Sequence, residues 1–274
     1  MLVDTHAHLN FKAFDRDRNE IIKDCLDNDI YVVNVGSKYE TSKKAVEIAG
    51  DFKGMYATVG LHPIHLETGM VNLKNDPEET GVLIKEESFD YNKYKELACL
   101  KNVVAIGETG LDYWYKPKTK TKLQAFKEKQ REVLLQHIKL GRELHLPLVL
   151  HCRVANDDLI SILKEEKGIT GVIHCFTGTL NEAKEYLKSG FYLGFTGIIF
   201  KLDLNEVIRE VPVNRILVET DCPYLTPPQV KEKRNEPKNV KYILEKIAEL
   251  KKLDYKELSL KTLENAKKLF NLDI

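Results

Sequence analysis

Eight short apolar runs recur along this chain, and most are followed by a helical pattern. They are Leu2–Thr5, Ile30–Val35, Met55–Leu61, Val103–Gly107, Pro147–Leu150, Gly171–Ile173, Phe191–Phe195 and Ile216–Glu219. Each is nearly continuous in apolar character, as a strand buried on both faces must be. Helical periodicity fills Phe14–Asn28, Thr41–Ala49, Thr121–Glu143, Ala155–Lys167, Leu180–Ser189 and Leu204–Val211, and two further helices, Asn239–Lys251 and Tyr255–Phe270, close the chain. Order and length predict a (β/α)8 TIM barrel. The competing architecture is an open doubly wound sheet, but no glycine-rich dinucleotide fingerprint follows the first strand. At 274 residues, with 43% apolar and no repeat, low-complexity tract or linker, the chain reads as a single domain over 1–274. Residues 66–102 break the rhythm and are expected to form a rim insertion, with a small strand at Val82–Ile84 and a helix at Tyr91–Leu100.

Polar residues punctuate the ends of these runs. His6 and His8 close the first, His62 follows the third and Glu108 the fourth. His151 and His174 close the fifth and sixth, and Asp221 follows the eighth. Alternation along a strand places His6 and His8 on one side, where both imidazoles suit a transition metal. Alone, a His-x-His is weak evidence. In a barrel, however, the C-terminal strand ends meet at one mouth, where active sites are built. His6, His8, Glu108, His151, His174 and Asp221 are the kind of set that holds two divalent ions, with a carboxylate to bridge them. Such a pair of ions activates water and neutralises charge developing on a phosphate. The alternative, several unrelated buried histidines, does not account for their coincidence at strand ends. His137 and His145 lie in or just after the long helix and read as structural.

The balance of 42 basic and 42 acidic residues gives no global field toward nucleic acid or an acidic membrane. A nucleic-acid enzyme would need local basic patches and metal ions. The N-terminus lacks a signal-peptide pattern and no window approaches a membrane span, so no membrane partner is expected. Cys25, Cys99, Cys152, Cys175 and Cys222 are scattered and odd in number, which fits a reduced, cytoplasmic protein. Cys152, Cys175 and Cys222 read as small buried fillers. A monomer is the default expectation.

Taken together, these segments resemble the TatD-type metal-dependent deoxyribonucleases of the amidohydrolase-like barrels. The resemblance spans essentially the whole chain. It rests on Asp4-Thr5-His6-Ala7-His8-Leu9, Gly60-Leu61-His62-Pro63, Ala105 to Asp112, His151-Cys152-Arg153, His174 to Gly178, Leu217 to Leu225 and Arg234-Asn235-Glu236-Pro237. It implies one metal held by His6, His8 and Asp221, a second held by His151 and His174, and Glu108 bridging them. The ions would be Mg²⁺, Mn²⁺ or Zn²⁺. It further implies a water nucleophile with Asp221 as proton acceptor, and His62 against the scissile phosphate. Glu219 and Asp112 would orient ligands. The implied activity is a phosphodiester hydrolase, a 3′–5′ exodeoxyribonuclease acting on single-stranded DNA or a 3′ end. Alternatives are a metal-dependent ester or amide hydrolase, such as an aminoacyl-RNA deacylase, and a non-catalytic nucleic-acid-binding barrel.

The chain departs from the family pattern in places. Ile64 separates Pro63 from the next histidine, His65, and Val154-Ala155 replaces the Glu-Ala common after the fifth strand. Arg153 is either a phosphate contact, through its planar donor fork, or a salt-bridge partner of Asp112 or Glu219. Trp114 and Tyr115, followed by Lys116, Lys118, Lys120 and Lys122, form a candidate groove for unpaired bases and backbone phosphate. The alternative is a cap of rings beside a solvated loop. Lys231, Lys233 and Arg234 form a second basic run held by prolines, and Tyr224 is placed to pack there or touch a sugar.

Overall fold

In the computed structural model, which describes residues 1–66, 86–114 and 116–274, the apolar runs form one sheet of eight parallel strands in the order β1 to β8. These are β1 Leu2–Ala7, β2 Ile30–Val35, β3 Met55–Val59, β4 Val103–Asp112, β5 Leu148–Arg153, β6 Gly171–Ile173, β7 Tyr192–Phe195 and β8 Ile216–Val218. The helices are α1 Arg18–Asp27, α2 Tyr39–Asp51, α3 Tyr91–Ala98, α4 Lys120–Leu144, α5 Asn156–Glu165, α6 Leu180–Lys188, α7 Asn205–Glu210, α8 Val240–Lys251 and α9 Tyr255–Phe270. Each strand pairs with its sequence neighbour, so the sheet curls round on itself as a TIM barrel must. The expected strand at Val82–Ile84 lies outside the described residues. Helix α3 serves as the crossover between β3 and β4, packing on both and on α2 and α4.

The seam between β1 and β8 closes at the mouth. Ala7 and Cys222 form a parallel bridge, Asp221 N–H donates to the His6 carbonyl at 2.8 Å, and His8 N–H donates to the Cys222 carbonyl at 2.9 Å. Side chains finish the closure lower down. Thr5 Oγ1 donates to the Val218 carbonyl at 3.1 Å, and Asp4 accepts from Thr220 through both its backbone N–H, 2.9 Å, and its hydroxyl, 2.5 Å. The junction where the barrel closes therefore carries three of the candidate ligands.

Alternation sorts the strand residues into two cores. Leu2, Val32, Ala57, Ile106, Leu148, Ile173, Leu193 and Ile216 belong to the layer between sheet and helices. Val3, Val33, Tyr56, Val104, Val149, Val172, Tyr192 and Leu217 fill the barrel interior with Ala266, Leu269 and Phe270 of α9. Two strands break strict alternation. Asp4 pairs with Val32 and Ala7 with Asn34, so β1 holds one extra residue; Ile106 pairs with Leu148 and Thr109 with Leu150, so β4 does too. Bulges of this kind re-aim side chains beside active sites, and here they fall at His6 and Glu108. Just beyond the second bulge, Gly110 has φ +147, and a Cβ there would lie 2.0 Å from the His151 carbonyl oxygen. Only glycine lets β4 lie this close to β5.

Candidate active site

The two bulges and the closing seam bring His6, His8, Glu108, His151, His174 and Asp221 together at the C-terminal mouth, with His62 beside them. Glu108 lies at the centre. Its Oε2 is 3.4 Å from His6 Nε2, and its Oε1 is 3.0 Å from His151 Nδ1, 3.4 Å from His62 Nε2 and 4.0 Å from His174 Nε2. On the seam side, His6 and His8 bring their Nε2 atoms within 3.2 Å of each other. Asp221 Oδ1 lies 3.3 Å from His8 Nε2, 3.8 Å from His6 Nε2 and 3.9 Å from His174 Nε2. The rings of His6 and His174 stack with centroids 3.5 Å apart.

Surrounding acceptors and donors decide which nitrogen each imidazole presents. His8 Nδ1 lies 2.8 Å from the Val35 carbonyl and His174 Nδ1 lies 2.9 Å from Glu219 Oε2; with the proton on Nδ1, each neutral ring turns a bare Nε2 to the cluster. Gly194 makes room for that carboxylate, since a Cβ there would lie 2.1 Å from Glu219 Oε1. Asp112 Oδ2 holds His151 Nε2 at 3.2 Å, leaving Nδ1 toward Glu108. His62 is arranged the other way round. Its Nδ1 accepts the Ile64 N–H at 3.1 Å, so a neutral ring carries its proton on Nε2, aimed at Glu108.

Burial and mutual charge give these groups opposed titration behaviour. Burial opposes the charged form of Glu108, but the imidazoles of His62, His6 and His151 hold its carboxyl well below the usual range. Burial likewise opposes the Asp221 carboxylate, and His8 and His174 outweigh it, so its pKa falls. His62 is pushed down to about 3 by burial and by the neighbouring His151. Burial works against charge on His151 as well, but hydrogen bonds to Asp112 and Glu108 carry it up to about 10. A crowd of imidazoles and carboxylates at these separations is the donor chemistry that divalent metals require. The donor atoms fall into four groups, each within 4.8 Å: His6, His8 and Asp221; His6, Glu108 and His174; His62, Glu108 and His151; and His174, Cys175 and Asp221. His151 thus falls with His62 rather than with His174.

The residues expected at the rim fare differently. Tyr224 sits at the mouth, its ring 6.3 Å from that of His8 in an edge-on arrangement. Arg234 is committed elsewhere: it forms a two-pronged pair with Asp17 at 2.6 and 3.0 Å, meets Glu236 at 3.2 Å and lies over the Phe14 ring. Trp114 is 57% exposed. The Arg153 guanidinium lies 4.6 Å from the Trp114 ring centroid, with Nη1 4.0 Å from Asp112 Oδ2. Tyr115 lies outside the described residues.

Four contributors carried no assigned role at the site in the sequence. Asp4 and Thr220 lock the seam, and a buried acid in an apolar run was the visible signal for the first. His137 is fully buried and not merely space-filling, because its Nε2 accepts the Leu61 N–H at 3.0 Å, one residue before His62. Cys175, expected as a buried filler, is only partly buried and faces His174 and Asp221.

Comparison with known proteins accords with this geometry. Residues 3–271 match the family model described as TatD related DNase. Across all of both chains, the protein is 40% identical to the uncharacterized metal-dependent hydrolase YabD of Bacillus subtilis. It is 32% identical, over 98% of this chain and 97% of the relative, to the 3′-5′ ssDNA/RNA exonuclease TatD of Cronobacter sakazakii. Among solved structures, the TatD homolog YJJV of Escherichia coli superposes with a TM-score of 0.83 at 25% identity, covering 99% of this chain and 98% of that one.

Proposed function

From the premise that this chain belongs to the TatD-related DNase family and is a metal-dependent hydrolase, we propose that it cleaves phosphodiester bonds, removing nucleotides from the 3′ end of single-stranded DNA. The observation that carries this reading is the placement of Glu108 among His6, His62, His151 and His174 at one barrel mouth. His6, His8 and Asp221 would hold one divalent ion; His151 and His174, whose ring nitrogens lie 3.0 and 4.0 Å from the same Glu108 oxygen, would hold a second, and Glu108 would reach both. Bound there, two divalent ions would supply an activated water and neutralise charge building on the phosphate.

The chain's own residues do the rest. Asp221, its carboxyl held low by His8 and His174, is the ionised acceptor for the water's proton. His62 is a neutral Nε2–H donor at the edge of the cluster, because the Ile64 N–H occupies its other nitrogen. That tautomer suits a hydrogen bond to a phosphate oxygen and does not suit Nε2 ligation. Asp112 and Glu219 hold the imidazoles of His151 and His174 in register. The exonuclease name of the Cronobacter sakazakii relative supports a nucleic-acid substrate.

The test compares two substrates with the metal-loaded protein: a single-stranded oligodeoxynucleotide labelled at its 5′ end, and an aminoacyl-RNA ester. Stepwise shortening of the oligonucleotide with no faster ester turnover is the expected result. Ester hydrolysis without nucleotide release would make the protein a deacylase.

A further inference from the structure

Trp114 is the single tryptophan of the chain and, at 57% exposure, one of the most open large apolar side chains among the described residues. An indole this open contributes little to the core. Its position is nonetheless fixed. Asp112 Oδ1 accepts the Trp114 backbone N–H at 2.9 Å, while Asp112 Oδ2 holds His151 Nε2 at 3.2 Å. One carboxylate therefore ties the ring's backbone to a member of the metal-binding cluster. Arg153, paired in register with Asp112 across β4 and β5, lies over the indole at 4.6 Å. Beyond the ring, Lys116, Lys118, Lys120 and Lys122 are all exposed. A cation–aromatic pair that is exposed to solvent, tied to the cluster and followed in sequence by exposed lysines suits a π-faced anion.

We propose that the Trp114–Arg153 stack is a nucleobase platform. It takes one unpaired base of the substrate beside the metal cluster, while the following lysines meet its backbone phosphates. The inference rests on the phosphodiesterase reading and adds what that reading lacks, a reason for a single-stranded end. A base paired within a duplex is covered by its neighbours on both faces and must be unstacked and unpaired before it can lie on the indole. The platform reads the π-face of a base and not its edges, so it tolerates all four bases.

Because the chain has one tryptophan, its fluorescence reports this site alone. The metal-loaded protein is mixed in a stopped-flow instrument with an oligothymidylate, and separately with an abasic oligomer of the same length and phosphate count. The signal is read before turnover, and nucleotide release is followed on the same samples. Quenching by the oligothymidylate, and binding at least about tenfold weaker with little quenching for the abasic oligomer, are expected. Trp114→Ala should raise KM about tenfold or more, with a smaller effect on kcat, and Trp114→Phe should recover most of the loss. Equal binding of the two oligomers, or a Trp114→Ala effect confined to kcat, overturns the platform while nucleotide release leaves the phosphodiesterase reading standing. If neither oligomer binds and no nucleotide is released, both fall.

Discussion

His174 donates its Nδ1 proton to Glu219 Oε2 across 2.9 Å, and the accepting carboxylate is wholly buried. The contact fixes the tautomer of the neutral imidazole, which then presents a bare Nε2 toward Glu108 and Asp221. The same oxygen also takes the Cys175 N–H at 3.0 Å, which holds the turn that follows β6. Replacing Glu219 by alanine is therefore expected to weaken divalent-metal binding by about 10- to 100-fold. Glu219→Gln, whose amide oxygen still accepts, should lose less. Calorimetric titration with Zn²⁺ or Mn²⁺ reads both.

Thr220 holds the seam from the other side. Its hydroxyl and backbone N–H both go to the buried Asp4, and Asp221 follows directly. Thr220→Val keeps the shape and removes a donor, leaving one Asp4 oxygen short of a partner at a cost of about 1–3 kcal/mol. Urea unfolding should show that loss, and Thr220→Ser should restore most of it.

His137 carries a pH signature away from the metal cluster. Burial lowers its pKa from 6.5 to about 4, and both ring nitrogens are used in the neutral form, Nδ1 donating to the Val133 carbonyl and Nε2 accepting from the Leu61 N–H. Between those two values the unfolded chain binds a proton that the folded chain does not. Stability therefore falls as pH drops from about 6.5 toward 4, and the contribution is retained above that window. The loss from this residue is up to about 3 kcal/mol. In chelator, thermal melts of His137→Phe should start lower at neutral pH and decline less steeply through the window than those of the parent.

Much of the barrel was legible because its strands are buried on both faces and its connections are helical. Those are local patterns, and where the periodicity is strong even the element ends follow from it: α9 begins at Tyr255 and ends at Phe270, as the pattern predicts. The strand-end residues were legible for the same reason, since His151 and His174 each break an apolar run. The bulges at His6 and Glu108 were not, because an extra residue in one strand is defined only against its partner. Arg234 shows the same limit. A basic run near a mouth reads as a phosphate contact, yet Asp17, far away in sequence, claims the guanidinium. His137 is structural, as its place in the helix suggests, but nothing in a helix pattern reveals the Leu61 N–H that its Nε2 accepts across the fold.

The most direct test of the central claim measures metal content and 3′-nucleotide release on the same samples of the parent and of Glu108→Ala, with folding checked by thermal melting. Two divalent ions per chain are expected in the active parent, and the folded variant is expected to lose bound metal and at least about a hundredfold in turnover. Undiminished turnover in Glu108→Ala, or a parent carrying both ions that releases no nucleotide, would contradict it.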